Sequence, residues 1–421
     1  MTMSDMKTVA VVGGGAAGLM AAIHAARMGA AVTIYEKNER CGRKLGITGK
    51  GRCNVTNHCT RETFFENVTG DARFLYSAWS RFDSAATESF FEEQGVPLKV
   101  ERGNRVFPVS DKARDVVDAL VRAARDEGVK ILHANVSDLL IEDGRARGVR
   151  VGDKEYPADA VILATGGASY PLTGSTGDGY RFARAAGHTV VSPTPSLVPL
   201  VEKGRFCASV QGLSLRNVSL RAKDLKTGKI VFEEFGEMLF THFGLTGPLV
   251  LSASAHLCPM EPGRYELLID LKPALDEKTL DARLLSDFAK YSNRDFQNAL
   301  CDLLPQKLIE PLVARSGIDG RKKVHDVTKE ERKAFLQLLK GVGIVIGGTR
   351  PIAEAIVTKG GVALTEIMPR TMASKKCRGL YFAGELLDLD AYTGGFNLQI
   401  AFSTAVLAGE SAAIFAYSEE E

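Results

Sequence analysis

Apolar positions at the start of the chain fall into two short runs joined by a segment with helical spacing. Residues 9–12 form a continuous apolar run, an alanine-rich segment follows, and residues 31–35 form the second run. Such a run is typical of a strand that is buried on both faces, as in a parallel sheet. The pattern therefore predicts a strand–helix–strand unit over 7–36.

Similar patterning continues through the N-terminal half of the chain. Helical spacing predicts helices over 71–94, 112–127 and 177–186. Short alternating runs over 129–151 predict a strand followed by a β-meander, and residues 160–164 predict a buried strand that leads into a glycine pair.

The pattern changes near 193–195, where two prolines flank a threonine. Short alternating runs over 196–272 predict antiparallel β structure, helical spacing dominates 276–340, and strands return over 342–370. A final strand and a final helix follow, over 379–384 and 397–416. We therefore expect an α/β fold with these boundaries: a discontinuous domain over 1–195 and 371–421, a β-rich insert over 196–275 and 341–370, and a helical domain over 276–340.

The composition is that of an ordinary globular protein. The 421 residues are 45% hydrophobic and 25% charged, with a formal net charge of +2. This balance gives no reason to expect nucleic acid or an anionic membrane surface as a partner. No uninterrupted apolar run reaches the roughly 18 residues of a membrane span, so we expect no transmembrane helix.

The seven cysteines are scattered along the chain, with no C-x-x-C pair and no zinc-ligand spacing relative to histidine. An odd number of unpatterned cysteines is typical of free thiols in a reducing compartment. We therefore expect a cytoplasmic protein without a bound metal. The same observation argues against a disulfide reductase that works through a redox-active cysteine pair.

A glycine motif lies between the first predicted strand and helix. Gly13, Gly15 and Gly18 have G-x-G-x-x-G spacing, and Glu36 ends the second predicted strand. In this context the glycines allow a tight turn and a close backbone approach to pyrophosphate, while the acid accepts ribose hydroxyls. The helix N-terminus adds unpaired N–H groups for phosphate. The motif predicts a bound dinucleotide and leaves open whether it is FAD or NAD.

Two later strand ends carry residues of the same kind. Thr165 and Gly166 follow the predicted strand over 160–164, and Glu385 follows Gly384 at the end of the last strand. Near them, the segment 388–397 carries Asp388 and the glycine pair that opens the last helix. A helix N-terminus there favours negative charge on a pyrophosphate or on a reduced flavin.

A basic, glycine-rich loop follows Glu36 and covers 42–54. It is not a P-loop, because Arg52 and Cys53 stand where Lys and Ser or Thr would be required. Its position favours a loop that wraps a cofactor pyrophosphate. The alternatives are a solvated loop or a nucleic-acid patch, built on the cluster Arg40, Arg43, Lys44, Lys50 and Arg52.

Four segments together resemble one bacterial flavoprotein family: 42–57, 105–112, 166–180 and 384–399. That family includes aminoacetone oxidase and the BaiN-type (YhiN-like) NAD(P)/FAD-dependent oxidoreductases. The resemblance implies a glutathione-reductase-like FAD-binding Rossmann domain, interrupted by a β-barrel-like insert and a small helical domain. One departure is Ala405, where the family pattern leads us to expect glycine in the last helix.

The resemblance also implies which residues contact FAD, with Val136 acting through its backbone on the adenine. Carried over by motif, the contacts are Gly13, Gly15, Ala16, Ala17, Gly18, Glu36, Lys37, Arg43, Lys44, Lys50, Gly51, Arg52, Cys53, Asn54, Val136, Thr165, Gly166, Gly384, Glu385, Asp388, Gly395, Phe396, Asn397 and Leu398.

The expected chemistry is hydride transfer through flavin N5 to or from a small organic substrate. No second G-x-G-x-x-G follows a strand, so NAD(P)H, if it is the donor, binds transiently. An NAD(P)H-dependent reductase is the leading interpretation; the alternatives are an O2-using amine oxidase and a flavin-containing RNA- or partner-binding protein. His242, Tyr170 and Tyr392 are candidate catalytic residues. We expect a small-molecule substrate, no nucleic acid and no membrane as partners.

Overall fold

The structure is a computed structural model that describes residues 6–418. The chain divides into two compact units: the first runs to Ser196 and resumes at Ile352, and the second is Leu197–Pro351. Each unit has its own hydrophobic core. The predicted boundaries differ from this division in two ways: the segment 352–370 was expected in the insert, and 276–340 was expected as a separate helical domain.

Nineteen strands lie within the described residues. In chain order they are β1 (Thr8–Val12), β2 (Ala31–Glu36), β3 (Thr56–Asn57), β4 (Leu98–Glu101), β5 (Arg105–Pro108), β6 (Lys130–His133), β7 (Asp138–Glu142), β8 (Arg145–Val151), β9 (Lys154–Pro157), β10 (Ala160–Leu163), β11 (Val190–Ser196), β12 (Leu200–Glu202), β13 (Ser214–Asp224), β14 (Ile230–Phe240), β15 (Gly244–Thr246), β16 (Tyr265–Asp270), β17 (Val342–Thr349), β18 (Val357–Val362) and β19 (Leu380–Phe382).

Fourteen α-helical segments, several of a single turn, lie within the same residues. They are α1 (Ala16–Arg27), α2 (Thr48–Gly51), α3 (Arg61–Glu66), α4 (Tyr76–Arg81), α5 (Ser84–Glu93), α6 (Ala113–Asp126), α7 (Asp178–Ala185), α8 (Phe206–Ser209), α9 (Pro248–Ser254), α10 (Glu277–Lys290), α11 (Phe296–Ala299), α12 (Gln306–Ser316), α13 (Lys329–Lys340) and α14 (Phe396–Ser418).

The first unit is built on a parallel five-stranded sheet with the order β19-β10-β1-β2-β6. Its three middle strands are mostly apolar and mostly buried, as expected for the inner strands of a parallel sheet. Val11 pairs in register with Ile34 on one side and Ile162 on the other. Because the strands are parallel, the loops after β1, β2, β10 and β19 all leave from one edge of the sheet, where α/β proteins bind ligands.

Helices α1 and α14 pack against each other within this unit, and glycine allows their close approach. A Cβ at Gly409 of α14 would stand 2.2 Å from the carbonyl oxygen of Ala21 in α1. The segment Phe396–Ala416 is long and apolar enough to cross a membrane by length and composition, but 72% of it is buried inside the protein. A core helix that is apolar all round has this pattern.

The second unit contains a closed six-stranded barrel, ordered β12-β15-β14-β13-β16-β17. Leu220, Leu267 and Ile344 are fully buried in its core. Helices α10, α12 and α13 contribute Leu284, Leu312 and other residues to this same core. The helical segment expected over 276–340 is therefore present, and its apolar side chains share the core of the barrel. Its autonomy as a domain stays a prediction.

Three predictions of local structure were wrong or incomplete. The helix expected over 71–94 breaks at Phe82, whose backbone is extended, because Asp83 caps α5 by accepting a bond from Ala86 N. Val136, expected in a strand, lies before β7. The strands expected over 342–370 divide between the units, since β18 pairs with β11 in the first unit.

Candidate functional site

The turn after β1 is shaped by its glycines. Gly13 has a φ of +104°, and a Cβ there would stand 2.6 Å from the carbonyl oxygen of Ala164. A Cβ at Gly18 would stand 1.8 Å from the carbonyl oxygen of Gly13, so the helix can approach the turn only at a glycine. Nothing lies within 4 Å of a Cβ at Gly15. The space beside Gly15 is thus open at the start of α1.

The start of α1 is suited to an anion. Gly15 occupies the N-cap position, no side chain caps the helix, and its first turn contains no acidic residue. The backbone N–H groups of the first turn are therefore available to a ligand, and the helix dipole favours negative charge there. This is the arrangement in which Rossmann proteins hold pyrophosphate.

The Glu36 carboxylate lies beside this turn and is 7% exposed. Its Oε2 accepts a bond from Gly14 N at 2.7 Å, and its Oε1 accepts bonds from Asn38 N at 2.8 Å and Asn38 Nδ2 at 2.6 Å. An ionised carboxylate has about four acceptor positions. Three are occupied within the protein, which leaves capacity for one more donor, such as a ribose hydroxyl.

Asn38 is a residue that the sequence analysis missed. Besides donating to Glu36, its Nδ2 donates to Thr173 O at 3.2 Å, while its Oδ1 accepts from Arg43 Nη1 at 3.0 Å. A Cβ at Gly174 would stand 2.4 Å from Nδ2. Asn38 thus joins the predicted ribose acid to two loops. Its proximity to Glu36 along the chain was the one available signal.

The basic residues of the 42–54 loop have separate partners. Arg43 donates to Asn38, Lys44 pairs with Glu385 at 2.6 Å, and Arg52 pairs with both Glu101 and Asp111 at 2.5 Å. Their charges are therefore directed to different neighbours. Lys37, just before the loop, likewise pairs with Asp178 at 2.5 Å.

Left-handed backbone conformations are concentrated in the same loop. Gly49, Lys50, Gly51 and Cys53 all have φ values between +57° and +83°. Lys50 and Cys53 adopt this conformation without being glycine, which costs conformational energy, and such strained residues tend to cluster at functional sites. Lys50 and Gly51 are exposed, whereas Cys53 is fully buried.

Two cysteines, Cys41 just before the 42–54 loop and Cys53 within it, are not poised as nucleophiles. Burial raises the pKa of the Cys53 thiol to about 12. Burial, reinforced by the charge of Glu36, raises the pKa of the Cys41 thiol to about 11. Both side chains are thiols rather than thiolates at neutral pH. Their role in the first unit is packing.

Two buried polar atoms, one in the 42–54 loop and one after β10, fit a ligand with both donors and acceptors. Within residues 6–418, Asn54 Oδ1 and Thr165 Oγ1 are buried and have no hydrogen-bond partner. Buried polar atoms without partners are rare in folded proteins and call for a ligand or a water molecule. Together with the open space at Gly15 and the uncapped start of α1, these atoms fit FAD.

Close backbone contacts shape the C-terminal part of the site. Gly384 has a φ of +72°, and a Cβ there would stand 2.8 Å from Ala17 Cβ in α1. A Cβ at Gly395 would stand 2.3 Å from the backbone of Thr56. The Asn397 amide donates to the carbonyls of Ala391 and Tyr392, fixing the segment before α14. The pKa of Asp388 is raised by burial and by the charge of Asp390.

The candidate catalytic residues lie in different units. Tyr170 in the first unit has a left-handed φ of 52°, and burial and the charge of Glu354 raise its pKa. Tyr392, also in the first unit, precedes α14 and donates its backbone N–H to Asn67 O. His242 is exposed in the turn between β14 and β15 of the second unit. Within the described residues, no cluster of three or more His, Cys, Asp or Glu side chains could hold a metal ion.

Comparison with known families gives a match over nearly the whole chain. Residues 7–411 match the family described as HI0933-like protein Rossmann domain. The chain belongs to the HI0933-like family. This confirms the flavoprotein family and the FAD-binding Rossmann fold that the sequence motifs indicated.

Curated relatives of this HI0933-like protein have two kinds of name. A "3-dehydro-bile acid delta(4,6)-reductase" from Clostridium scindens is 32% identical over 97% of this chain and 99% of its own length. A "Ribosomal RNA dihydrouridine synthase" from Haemophilus influenzae is 32% identical over 96% of this chain and 98% of its own length. The family assignment and these relatives make the protein an FAD-dependent oxidoreductase.

Among solved structures, a 3-ketosteroid-delta4-(5alpha)-dehydrogenase from Rhodococcus jostii RHA1 covers 99% of this chain and 98% of its own, with a TM-score of 0.51 and 16% identity. At this identity the likeness concerns the fold alone. It agrees with a Rossmann FAD-binding fold that carries a further domain.

Proposed function

We propose that this protein is an NAD(P)H-dependent FAD enzyme that reduces a carbon–carbon double bond conjugated to a carbonyl group. The observation that carries the proposal is the full-length similarity to relatives with two different substrates. A 3-dehydro bile acid with Δ4,6 unsaturation has double bonds conjugated to its 3-oxo group, and the uridine double bond is conjugated to a ring carbonyl. Both names therefore describe saturation of the same kind of bond.

FAD, when bound, supplies hydride transfer through its N5 atom. The protein's own contribution is binding and charge stabilisation. The first turn of α1 would hold the pyrophosphate, Glu36 a ribose hydroxyl, and Asn54 and Thr165 the polar groups that face them. The N-terminus of α14, which follows the left-handed Gly394 and Gly395, would stabilise negative charge.

Reduction of a conjugated double bond needs a proton as well as a hydride. Hydride adds to the β-carbon, negative charge moves to the carbonyl oxygen, and an acid then protonates the α-carbon. We propose Tyr170, Tyr392 or His242 as the source of this proton. Burial raises the pKa of Tyr170, so its phenol carries a proton at neutral pH but is a weaker acid than an exposed tyrosine.

We further propose that NAD(P)H binds only transiently, since the chain contains one glycine-rich dinucleotide turn. Anaerobic mixing of the FAD-loaded enzyme with NADH or NADPH tests the donor. We expect rapid bleaching of the flavin absorbance by one of them. Bleaching only by an amine, followed by rapid reoxidation with O2, would instead support an amine oxidase and contradict the proposal.

The substrate class can be tested with the same reduced enzyme. A 3-oxo-4,6-diene steroid and a uridine-containing ribosomal RNA represent the two kinds of relative. We propose that the substrate is a small molecule, as the near-neutral net charge of +2 suggests. Faster reoxidation by the steroid would support this, and reoxidation by the RNA alone would show a nucleic-acid substrate.

A further inference from the structure

A polar cluster in the first unit joins segments of the chain that are far apart in sequence. Lys44 Nζ donates to Glu385 Oε2 and to Ser169 Oγ, both at 2.6 Å. Glu385 Oε1 also accepts from Ser169 Oγ at 3.1 Å and from Thr358 N at 2.9 Å. Lys44 belongs to the 42–54 loop, Ser169 to the loop after β10, and Glu385 to the end of β19.

The cluster is shielded from solvent and closely packed. Ser169 and Thr358 are fully buried, and the side chains of Lys44 and Glu385 are 21% and 19% exposed. A Cβ at Gly167 would stand 2.4 Å from Thr358 Oγ1 and 2.9 Å from Glu385 Oε1. Thr358 Oγ1 also accepts from the backbone N–H groups of Ala168 and Ser169. Little room remains for these side chains to take other positions.

The hydrogen bonds of Glu385 leave its carboxylate, like that of Glu36, capacity for at most one further donor. Its carboxylate accepts three bonds from the protein, out of about four acceptor positions. Lys44 directs its ammonium to Glu385 and Ser169, whereas Arg43 and Arg52 of the same loop bond elsewhere. Lys44 thus ties the 42–54 loop to the end of β19.

From these contacts we propose that Lys44, Glu385, Ser169 and Thr358 form a clamp, here called the Lys44–Glu385 clamp, that holds the 42–54 loop at the strand ends. Its members act as positioning residues: they place the loop for FAD rather than contacting FAD themselves. The proposal rests on FAD binding in the first unit. It does not depend on which substrate is reduced.

A double-mutant cycle on FAD affinity distinguishes positioning from direct contact. The variants are Lys44→Met, Glu385→Gln and the double variant, with FAD dissociation constants measured by quenching of flavin fluorescence. Each single variant should weaken FAD binding about tenfold, because each opens the same clamp. The double variant should bind FAD at most about threefold more weakly than the more weakly binding single variant. The second substitution would remove contacts that the first has already disrupted.

Two residues that each touched FAD would behave differently. Their effects would multiply, so the double variant would bind about a hundredfold more weakly than the parent protein. Multiplied effects, or single variants within about twofold of the parent protein, would overturn the proposal. A matched cycle on the surface pair Arg27–Glu127, whose Nε–Oε1 distance is 2.8 Å, should leave FAD affinity unchanged.

A second readout does not require FAD. Amide hydrogen exchange of residues 45–53 should accelerate in both single variants of the FAD-free protein, while the core strand β1 keeps its protection. Unchanged exchange in the loop would contradict the clamp. Loss of protection in β1 would identify a misfolded variant. In that case Ser169→Ala, which keeps the Lys44–Glu385 ion pair, is used instead, and amide exchange in residues 45–53 should accelerate less than in the ion-pair variants.

Discussion

At the residue scale, the position of Glu36, the acidic residue predicted to bind a ribose hydroxyl, depends on its neighbour Asn38. Glu36 accepts two bonds from Asn38 and one from Gly14, so the position of its carboxylate is set before a ligand donates to it. Asn38 in turn holds Arg43 and the carbonyl of Thr173. A hydrogen bond to a charged group is worth about 1.5–3 kcal/mol, more than a neutral one.

Replacing Asn38 should therefore weaken FAD binding. Asn38→Ala removes the side-chain donor to Glu36 and the acceptor for Arg43 while keeping the backbone N–H. We expect an increase of about tenfold in the FAD dissociation constant, measured by flavin fluorescence. Asn217→Ala, on an exposed position of β13, serves as the control. Equal affinities for the two variants would show that Asn38 does not position Glu36.

A second residue-scale prediction concerns acid sensitivity. The side chain of His188 is fully buried, with Nε2 2.7 Å from Ser374 Oγ and Nδ1 3.2 Å from Glu366. Burial lowers the His188 pKa in the folded protein, despite the opposing charge of Glu366. Since the unfolded chain binds the proton more readily, stability is lost as the pH falls below about 6.5, the ordinary histidine pKa.

Urea unfolding of His188→Gln between pH 7.5 and 5 measures this effect. We expect the parent protein to lose stability over this range and the variant to lose less, because the titrating group is gone. Asn217→Ala, at an exposed position of β13 without a titratable side chain, should retain the parent's pH dependence. A parallel pH dependence in His188→Gln and the parent would contradict the assignment.

At the element scale, the packing of α1 on α14 depends on a glycine inside a helix. Gly409→Ala would normally favour an isolated helix by about 1 kcal/mol. Here the added Cβ would stand 2.2 Å from a backbone oxygen, which cannot move without shifting α1. We expect a net loss of about 1–3 kcal/mol in the free energy of unfolding, measured by denaturant titration.

A glycine in open space provides the comparison. Nothing lies within 4 Å of a Cβ at Gly348 in β17, so Gly348→Ala should change the free energy of unfolding by less than about 1 kcal/mol. If Gly409→Ala instead stabilised the protein, the two helices would have to be further apart than the structure places them.

At the scale of the whole molecule, the local sequence pattern predicted the helices and strands better than it predicted which strands pair with each other. The βαβ unit and the helix expected over 112–127, observed as Ala113–Asp126, follow from short-range periodicity. The break at Phe82 was missed because the apolar pattern continues across it, although Asp83 is a good N-cap. The pairing of β11 with β18 joins segments some 160 residues apart, and no local pattern encodes it.

In the candidate site, too, local features could be predicted from the sequence, whereas contacts between distant residues could not. Gly13, Gly15, Gly18 and Glu36 could be assigned from spacing, because each answers a local geometric need. The contact of Lys44 with Glu385 could not, because the two residues are 341 positions apart and meet only through the order of the parallel strands. The FAD contacts carried over by motif, including those of Gly13, Gly15, Gly18 and Glu36, stay predictions.

The central claim is that the bound flavin delivers its electrons to a double bond conjugated to a carbonyl. The most direct test is anaerobic stopped-flow mixing of the reduced enzyme with a 3-oxo-4,6-diene steroid or with uridine-containing RNA. The control is the matching 3-hydroxy steroid, whose double bonds are not conjugated to a carbonyl group. We predict reoxidation of the flavin by a conjugated substrate, with one carbon–carbon double bond reduced per flavin, and no reoxidation by the control. Flavin that stays reduced with both conjugated substrates, yet reoxidises at once with O2, would contradict it.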